Sequence, residues 1–80
     1  MKKFHLTVAK INELAFAGEV ESVSLPGIDG EMTVLADHEA LISPLREGTI
    51  VINETKDNAT TFSISEGTLE VSNNKATVLI

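Results

Sequence analysis

The chain lacks several residue types that often define small domains. Its 80 residues include no cysteine, no tryptophan and no tyrosine, and only three phenylalanines. Without cysteine there is no disulfide, no zinc–thiolate site and no cysteine nucleophile. Because aromatic residues are so few, aliphatic side chains must form the core.

Long hydrophobic runs are also absent. No apolar run approaches the roughly 18 residues that suggest a transmembrane helix. Lys2 and Lys3 are not followed by the hydrophobic stretch of a signal peptide. A chain of this length has room for one small core. These features predict one cytosolic domain that is not inserted into a membrane.

Basic residues are scarce, and they are unevenly placed. Six Lys and Arg stand against twelve Asp and Glu, for a formal net charge of -6. No base occurs between Lys10 and Arg46, where the acids are Glu13, Glu19, Glu21, Asp29, Glu31, Asp37 and Glu39. This balance argues against nucleic acid, which needs a basic face. The acidic span is either a solvated surface or a contact for a basic or polar partner.

Recognisable catalytic patterns are missing as well. The sequence has no nucleophile-elbow serine, no glycine-rich phosphate loop and no Walker lysine. Asp37, His38 and Glu39 could be read as a metal or acid–base site, but neighbouring loop side chains diverge, and one histidine with carboxylates is a weak ligand set. We therefore predict no metal and no cofactor. A small hydrolase or metal protein using His38 stays open as an alternative.

Apolar and polar residues alternate with a period of two along most of the chain. Residues 4–8 and 76–80 show the pattern clearly. No segment keeps a helical apolar stripe, so the sequence predicts eight to ten short strands in an antiparallel sandwich or barrel. Asn73-Asn74 predicts a two-residue hairpin turn. Val20 and Val23 differ in parity, which predicts a bulge or twist near residues 21–22.

Four segments of the sequence together resemble a known family. They are FHLTVAK from Phe4, FAGEVESVSLPGIDGEM from Phe16, GEMTVLADHEALISPLREGTIVI from Gly30, and ISEGTLEVSNNKATVLI from Ile64. Each is weak alone, but their order and spacing are specific. Over essentially its whole length, the chain resembles the N-terminal β-sandwich domain of the ε subunit of bacterial F-type ATP synthase.

The resemblance implies a fold and a function. The expected fold is a flattened antiparallel β-sandwich of about ten short strands, forming a single domain over residues 1–80. The expected function is that of a non-catalytic rotor subunit in the central stalk. Such a subunit binds the γ subunit and the membrane c-ring, and it couples ion-driven rotation to ATP synthesis. It lies peripherally on the cytoplasmic face of the bacterial cell membrane and takes no small-molecule substrate.

The resemblance also implies two contact sites. Asp29, Gly30 and Glu31 match the loop that faces the c-ring, where a c-ring arginine could meet a carboxylate such as that of Glu31. A second segment matches part of the surface that faces γ: His38, Glu39, Ala40 and Leu41. Gly30 is also expected to permit a backbone turn after Asp29.

The chain departs from the family pattern in three places. Ala40 stands where proline is usual, and Glu66-Gly67 replaces a common Gly-Gly. The chain also ends at Ile80, without the C-terminal helical hairpin of most members. Met1 and the lack of a tag favour a naturally short subunit over an excised domain. A stand-alone β-sandwich module that binds a small ligand remains the alternative function.

Overall fold

The computed structural model describes residues 2–80, which form nine β-strands and no helix. None of the described residues therefore belongs to a helix long and apolar enough to cross a bilayer. The strands are β1 Phe4–Lys10, β2 Glu13–Val20, β3 Ser22–Gly27, β4 Gly30–Leu35, β5 Leu41–Leu45, β6 Gly48–Thr55, β7 Asn58–Ile64, β8 Gly67–Ser72 and β9 Lys75–Leu79.

The strands form one curled sheet with two halves. The order is β2-β1-β9-β8-β5-β3-β6-β7, and β4 pairs with β3 beside this path. Five strands, β2-β1-β9-β8-β5, make one half, and β4-β3-β6-β7 make the other. A single residue pair, Gly27 with Leu45, joins β3 to β5. Because this junction is so short, the sheet can fold over there and enclose a core between its halves.

The all-β sandwich is confirmed, with one difference in strand direction. Every neighbouring pair is antiparallel except β1 and β9, which run parallel from the pair His5–Lys75 to the pair Ala9–Leu79. Side chains alternate with the same period in parallel and antiparallel strands. The sequence pattern therefore identifies the strands but does not reveal this parallel pair.

The core is aliphatic, as the sequence predicts. Phe4 is its one fully buried aromatic residue, and no polar or charged residue among residues 2–80 is buried. Each fully buried Val, Leu or Ile contributes about 1.5–3 kcal/mol relative to exposure. The residues that are wholly inaccessible come from both halves of the sheet: Leu6, Val8, Val20, Val23, Leu25, Ile50, Ile52, Leu69 and Val78.

Two irregular positions explain where the alternation breaks. Asn73 and Asn74 have φ angles of 52° and 60°, which confirms the two-residue hairpin between β8 and β9. At Glu21 the expected irregularity is the boundary between β2 and β3, not a bulge within one strand. Val20 pairs with β1 and Ser22 pairs with β6. The inward-facing parity changes because the chain passes from one half of the sheet to the other.

Candidate interaction surfaces

Strand β4 separates the two segments that the sequence marks as contact sites. Gly30 and Glu31 lie at its first end, and Leu35 at its last end leads into the loop 36–40. Five steps along a strand cover about 16 Å. The two predicted sites therefore lie at opposite ends of the sandwich, and the structure does not bring them together.

The first site is a tight turn shaped by glycine. Gly27 and Gly30 pair across a two-residue turn made by Ile28 and Asp29. Gly30 has a φ of 133°, which confirms the predicted need for glycine at this position. A Cβ atom added to Gly27 would lie 2.7 Å from the Gly30 carbonyl oxygen. The close approach of the two strands therefore also requires glycine at position 27.

The carboxylates at this turn face solvent. Asp29 and Glu31 are exposed, and neither forms an ion pair within residues 2–80. Ile28, beside them, is 52% exposed. The turn therefore presents two negative charges and one apolar side chain, with no neutralising base from the described part of the chain.

The second site begins with a turn of defined geometry. The His38 amide donates to the Leu35 carbonyl at 3.3 Å, and Asp37 has a φ of 63°. This combination is typical of a type II turn. The His38 ring is half-buried, and its Nδ1–H donates to the Glu39 carbonyl at 2.8 Å. Of the two ring nitrogens, Nε2 is therefore the one left to a partner.

Leu41, a predicted γ contact, is less exposed than its neighbour Ile42. Leu41 is only half-exposed and packs against the core, whereas the side chain of Ile42 is 72% exposed. The sequence does not single out Ile42, because two adjacent apolar residues do not reveal which one points inward. Their cross-strand partners do, since Leu41 pairs with buried Val71 and Ile42 with exposed Glu70.

An open groove of about 470 Å³ begins beside Ile42. It lies over the paired ends of β5 and β8, which are hydrogen-bonded neighbours, and predicted contact residues 40 and 41 contribute to its wall. The groove therefore lies where the loop 36–40 meets the outer surface of the five-stranded half. Its lining residues are Ala40, Leu41, Ile42, Glu70, Val71 and Ser72.

That outer surface carries a row of mostly apolar side chains across five strands. Each residue of the row pairs with the next one on the neighbouring strand. From β2 to β5 these residues are Leu14, Ala9, Leu79, Thr68 and Pro44. The side chains of Leu14 and Leu79 are 63% and 56% exposed. We call this row together with Ile42 the apolar face. Its length across four strand spacings is about 19 Å.

The outer surface of the four-stranded half is different. Serine, threonine and asparagine side chains lie on it, and two hydrogen bonds join four of them. The hydroxyl oxygens of Ser24 and Thr33 are hydrogen-bonded at 3.3 Å. The side-chain amide of Asn53 donates to Ser22 Oγ at 3.1 Å. We call the surface formed by these four residues the hydroxyl face. Its polar groups are already paired within the chain.

The candidate metal ligands do not form a cluster. Within residues 2–80, no three or more histidine, aspartate or glutamate side chains are grouped as a metal site would require. The Asp37 carboxylate contacts the Lys2 ammonium at 2.6 Å. The His38 ring donates a hydrogen bond to the Glu39 carbonyl. These side chains serve the local loop structure. The fold and its surfaces thus define a small β-sandwich protein that exposes apolar side chains on one outer face.

Comparison with known proteins gives the family. Residues 3–80 match the family described as ATP synthase, Delta/Epsilon chain, beta-sandwich domain. The chain therefore belongs to the ATP synthase δ/ε chain family and represents its β-sandwich domain. It is similar to the ATP synthase epsilon chain of Chlorobaculum tepidum, with 37% identity over 98% of this chain and 89% of that one.

A second relative is longer. The ATP synthase epsilon chain of Sulfurimonas denitrificans is 38% identical over the whole of this chain and 62% of its own length. These relatives are non-catalytic subunits of ATP synthase. ATP synthase is a membrane-associated assembly, and both relatives are bacterial.

Solved structures confirm the fold. A chain in the cryo-EM structure of Euglena gracilis mitochondrial ATP synthase, OSCP/F1/c-ring, superposes with a TM-score of 0.90 at 23% identity. The match covers 96% of this chain and 49% of that one. A chain from the central stalk/c-ring of Tetrahymena thermophila mitochondrial ATP synthase gives 0.80 at 14% identity, over 98% and 63% of the two chains.

Proposed function

We propose that the protein is a rotor subunit of a bacterial ATP synthase that binds the γ subunit and the membrane c-ring. In this role it couples ion-driven rotation to ATP synthesis on catalytic subunits elsewhere in the complex. The single observation that carries the proposal is the apolar face, because a small sandwich that exposes apolar side chains across five strands has a surface suited to a protein partner. Family membership identifies the assembly in which such a partner occurs.

The γ subunit is assigned to the apolar face and the adjoining groove. Ile42 is the most exposed large apolar residue in the groove and adjoins the predicted γ contacts Ala40 and Leu41. His38 and Glu39 extend the same surface around the end of the sandwich. Exposed apolar area supplies most of the affinity in this arrangement, and the polar loop supplies orientation.

The c-ring is assigned to the glycine turn, at the end of the sandwich opposite His38. Asp29 and Glu31 are exposed there and suit the basic side chain of a c-ring polar loop. An exposed ion pair of this kind contributes only about 0–1 kcal/mol. The contact would therefore guide orientation on the ring more than it would hold the subunit in place.

One rigid body can make both contacts at once. The molecule measures 30 × 23 × 23 Å, and β4 holds the two predicted sites at opposite ends. The row of the apolar face begins beside the glycine turn, since the Ile28 amide donates to the Pro44 carbonyl at 3.2 Å. Ile42 continues the face toward the His38 end. In this proposal γ covers the outer face, and the ring meets the turn at the adjoining end. The proposed role is mechanical and involves no chemistry, and the proposed location is peripheral, on the cytoplasmic face of the cell membrane.

Charge reversal at the glycine turn tests the c-ring assignment. We expect Glu31→Lys to lower ATP-driven ion pumping by assembled ATP synthase in inverted membrane vesicles, while ATP hydrolysis and the folded circular dichroism spectrum are retained. The matched control is Asp57→Lys, which makes the same charge change on an exposed turn at the other end of the sandwich. Equal pumping by the two variants would contradict the assignment.

A further inference from the structure

The side chain of Asn74 connects three segments that are far apart in sequence. Its Oδ1 accepts a hydrogen bond from the Asp37 amide at 2.7 Å, and its Nδ2 donates to the Lys3 carbonyl at 3.2 Å. Its own carbonyl accepts from the His5 amide at 3.3 Å. One residue of the β8–β9 hairpin thus holds both the N-terminal segment and the loop that carries His38.

The hairpin geometry alone does not explain why asparagine occupies this position. Asn73 and Asn74 both have positive φ angles, which glycine would adopt at least as readily. Within residues 2–80, the Asn73 side chain forms no hydrogen bond, whereas Asn74 uses both its amide oxygen and its amide nitrogen. Glycine and aspartate are also tolerated at a positive φ angle. Glycine has no side-chain hydrogen-bonding group, and aspartate has only acceptors. The side-chain amide of Asn74 therefore has a role beyond the turn.

The loop depends on this outside partner. The hydrogen bond inside the Leu35–His38 turn uses the His38 amide, so it leaves the Asp37 amide without a partner in the turn itself. Asp37 also adopts a φ of 63°, which is unfavourable for most residues. Its contact with Lys2 joins two side chains that are 58% and 67% exposed, and solvent screens such a pair. The Asn74 bond is the more directional constraint on the loop.

We propose that Asn74 is a positioning residue that fixes the loop 36–40 against the hairpin. The loop enters β5 directly through Ala40 and Leu41, so its position sets how His38 and the start of the groove are presented. The part of this inference that concerns γ rests on the proposed function. The part that concerns the loop rests only on the hydrogen bonds of the folded chain.

The test compares three variants of the 80-residue chain. Asn74→Gly keeps the turn angle and removes both side-chain hydrogen bonds. Asn73→Gly is the matched control, because it makes the same change in the same turn without losing a hydrogen bond within the described residues. Asn74→Asp keeps an acceptor for the Asp37 amide, removes the donor to Lys3 and adds one negative charge. The readouts are NMR amide hydrogen exchange in the isolated chain and calorimetric affinity for the cognate γ subunit.

We expect Asn74→Gly to speed exchange of the Asp37 amide by about tenfold, the factor equivalent to one net hydrogen bond. Exchange at Ala76 and Val78, in the core of β9, should stay unchanged. Affinity for γ should fall about threefold to tenfold, because the loop must be ordered again on binding. Asn73→Gly should change both quantities by less than about twofold. Asn74→Asp should keep the wild-type exchange rate at Asp37.

Each outcome decides the proposal. Unchanged exchange at Asp37 in Asn74→Gly would overturn the hydrogen bond as a constraint, and so would equal exchange in Asn74→Gly and Asn74→Asp. Faster exchange with γ affinity equal to that of Asn73→Gly would overturn the positioning role. Failure of the wild-type chain to bind γ would instead overturn the proposed function, and the exchange rates would still decide whether Asn74 holds the loop.

Discussion

The two outer faces of the sandwich have the same strand geometry but differ in how their side chains are satisfied. On the hydroxyl face, Ser24 and Thr33 lie 3.3 Å apart and Asn53 donates to Ser22, so polar groups bond within the chain. On the apolar face, Leu14, Leu79 and Ile42 are more than half exposed and have no cover within residues 2–80. The hydroxyl face stabilises the folded chain by itself. In the proposed function, the apolar face gains stabilising contacts when γ covers it.

Stability and binding should therefore depend on different residues. Substitutions that reach the core or the hydroxyl face should act on the free energy of unfolding. Substitutions on the apolar face should act on affinity for γ and leave the free energy of unfolding nearly unchanged. Adjacent residues of β5 offer the sharpest contrast, since Leu41 packs against the core and Ile42 lies in solvent.

The largest expected loss of stability comes from Leu41→Asp. The new carboxylate would lie opposite buried Val71 without a basic partner. We expect the free energy of unfolding to fall by about 3 kcal/mol, because the change removes apolar packing and places a charge at a partly buried position. Urea denaturation followed by circular dichroism measures this. A loss below about 1 kcal/mol would show that Leu41 lies in solvent and that the inward and outward residues of β5 have been exchanged.

An intermediate loss is expected from Asn53→Ala on the hydroxyl face. The change removes the donor to Ser22 Oγ at a partly buried position. We expect the free energy of unfolding to fall by about 0.5–1.5 kcal/mol. Asn58→Ala is the control, since Asn58 is exposed and its side chain forms no hydrogen bond within the described residues. Equal losses in the two variants would show that the hydroxyl face does not stabilise the chain through this bond.

The smallest change in stability is expected from Ile42→Lys. Ile42 is largely exposed, and the new ammonium would lie opposite Glu70, which favours the pairing. The free energy of unfolding should change by less than about 0.5 kcal/mol. A loss comparable to that of Leu41→Asp in the same denaturation experiment would contradict the assignment of Ile42 to an outward-facing surface.

The sequence predicts one part of this picture well. Alternation along β1 and β9 identifies strands because burial on one side imposes a period of two. Asn73-Asn74 identifies a hairpin because asparagine tolerates positive φ angles. Gly30 marks a turn because glycine adopts such angles more readily still. These are local signals, since each depends on residues that are close together in the chain.

The remaining features depend on contacts between distant segments. The apolar row joins Leu14 of β2 to Pro44 of β5 through three intervening strands, and only the strand order places them side by side. The choice between Leu41 and Ile42 is made by the register with β8. The bond from Asp37 to Asn74 spans 37 positions in sequence. No pattern within one segment carries that information, and the expected contacts at residues 29–31 and 38–41 stay predictions until a partner is bound.

The most direct test is calorimetric titration of the chain with its cognate γ subunit, comparing wild type, Ile42→Lys and Thr61→Lys. Thr61 is exposed on β7 in the four-stranded half, so it receives the same charge on the opposite side of the sandwich. We predict sub-micromolar binding by wild type and Thr61→Lys, and affinity at least about tenfold weaker for Ile42→Lys. Undiminished binding by Ile42→Lys together with loss of binding by Thr61→Lys would contradict the apolar face as the γ-binding surface.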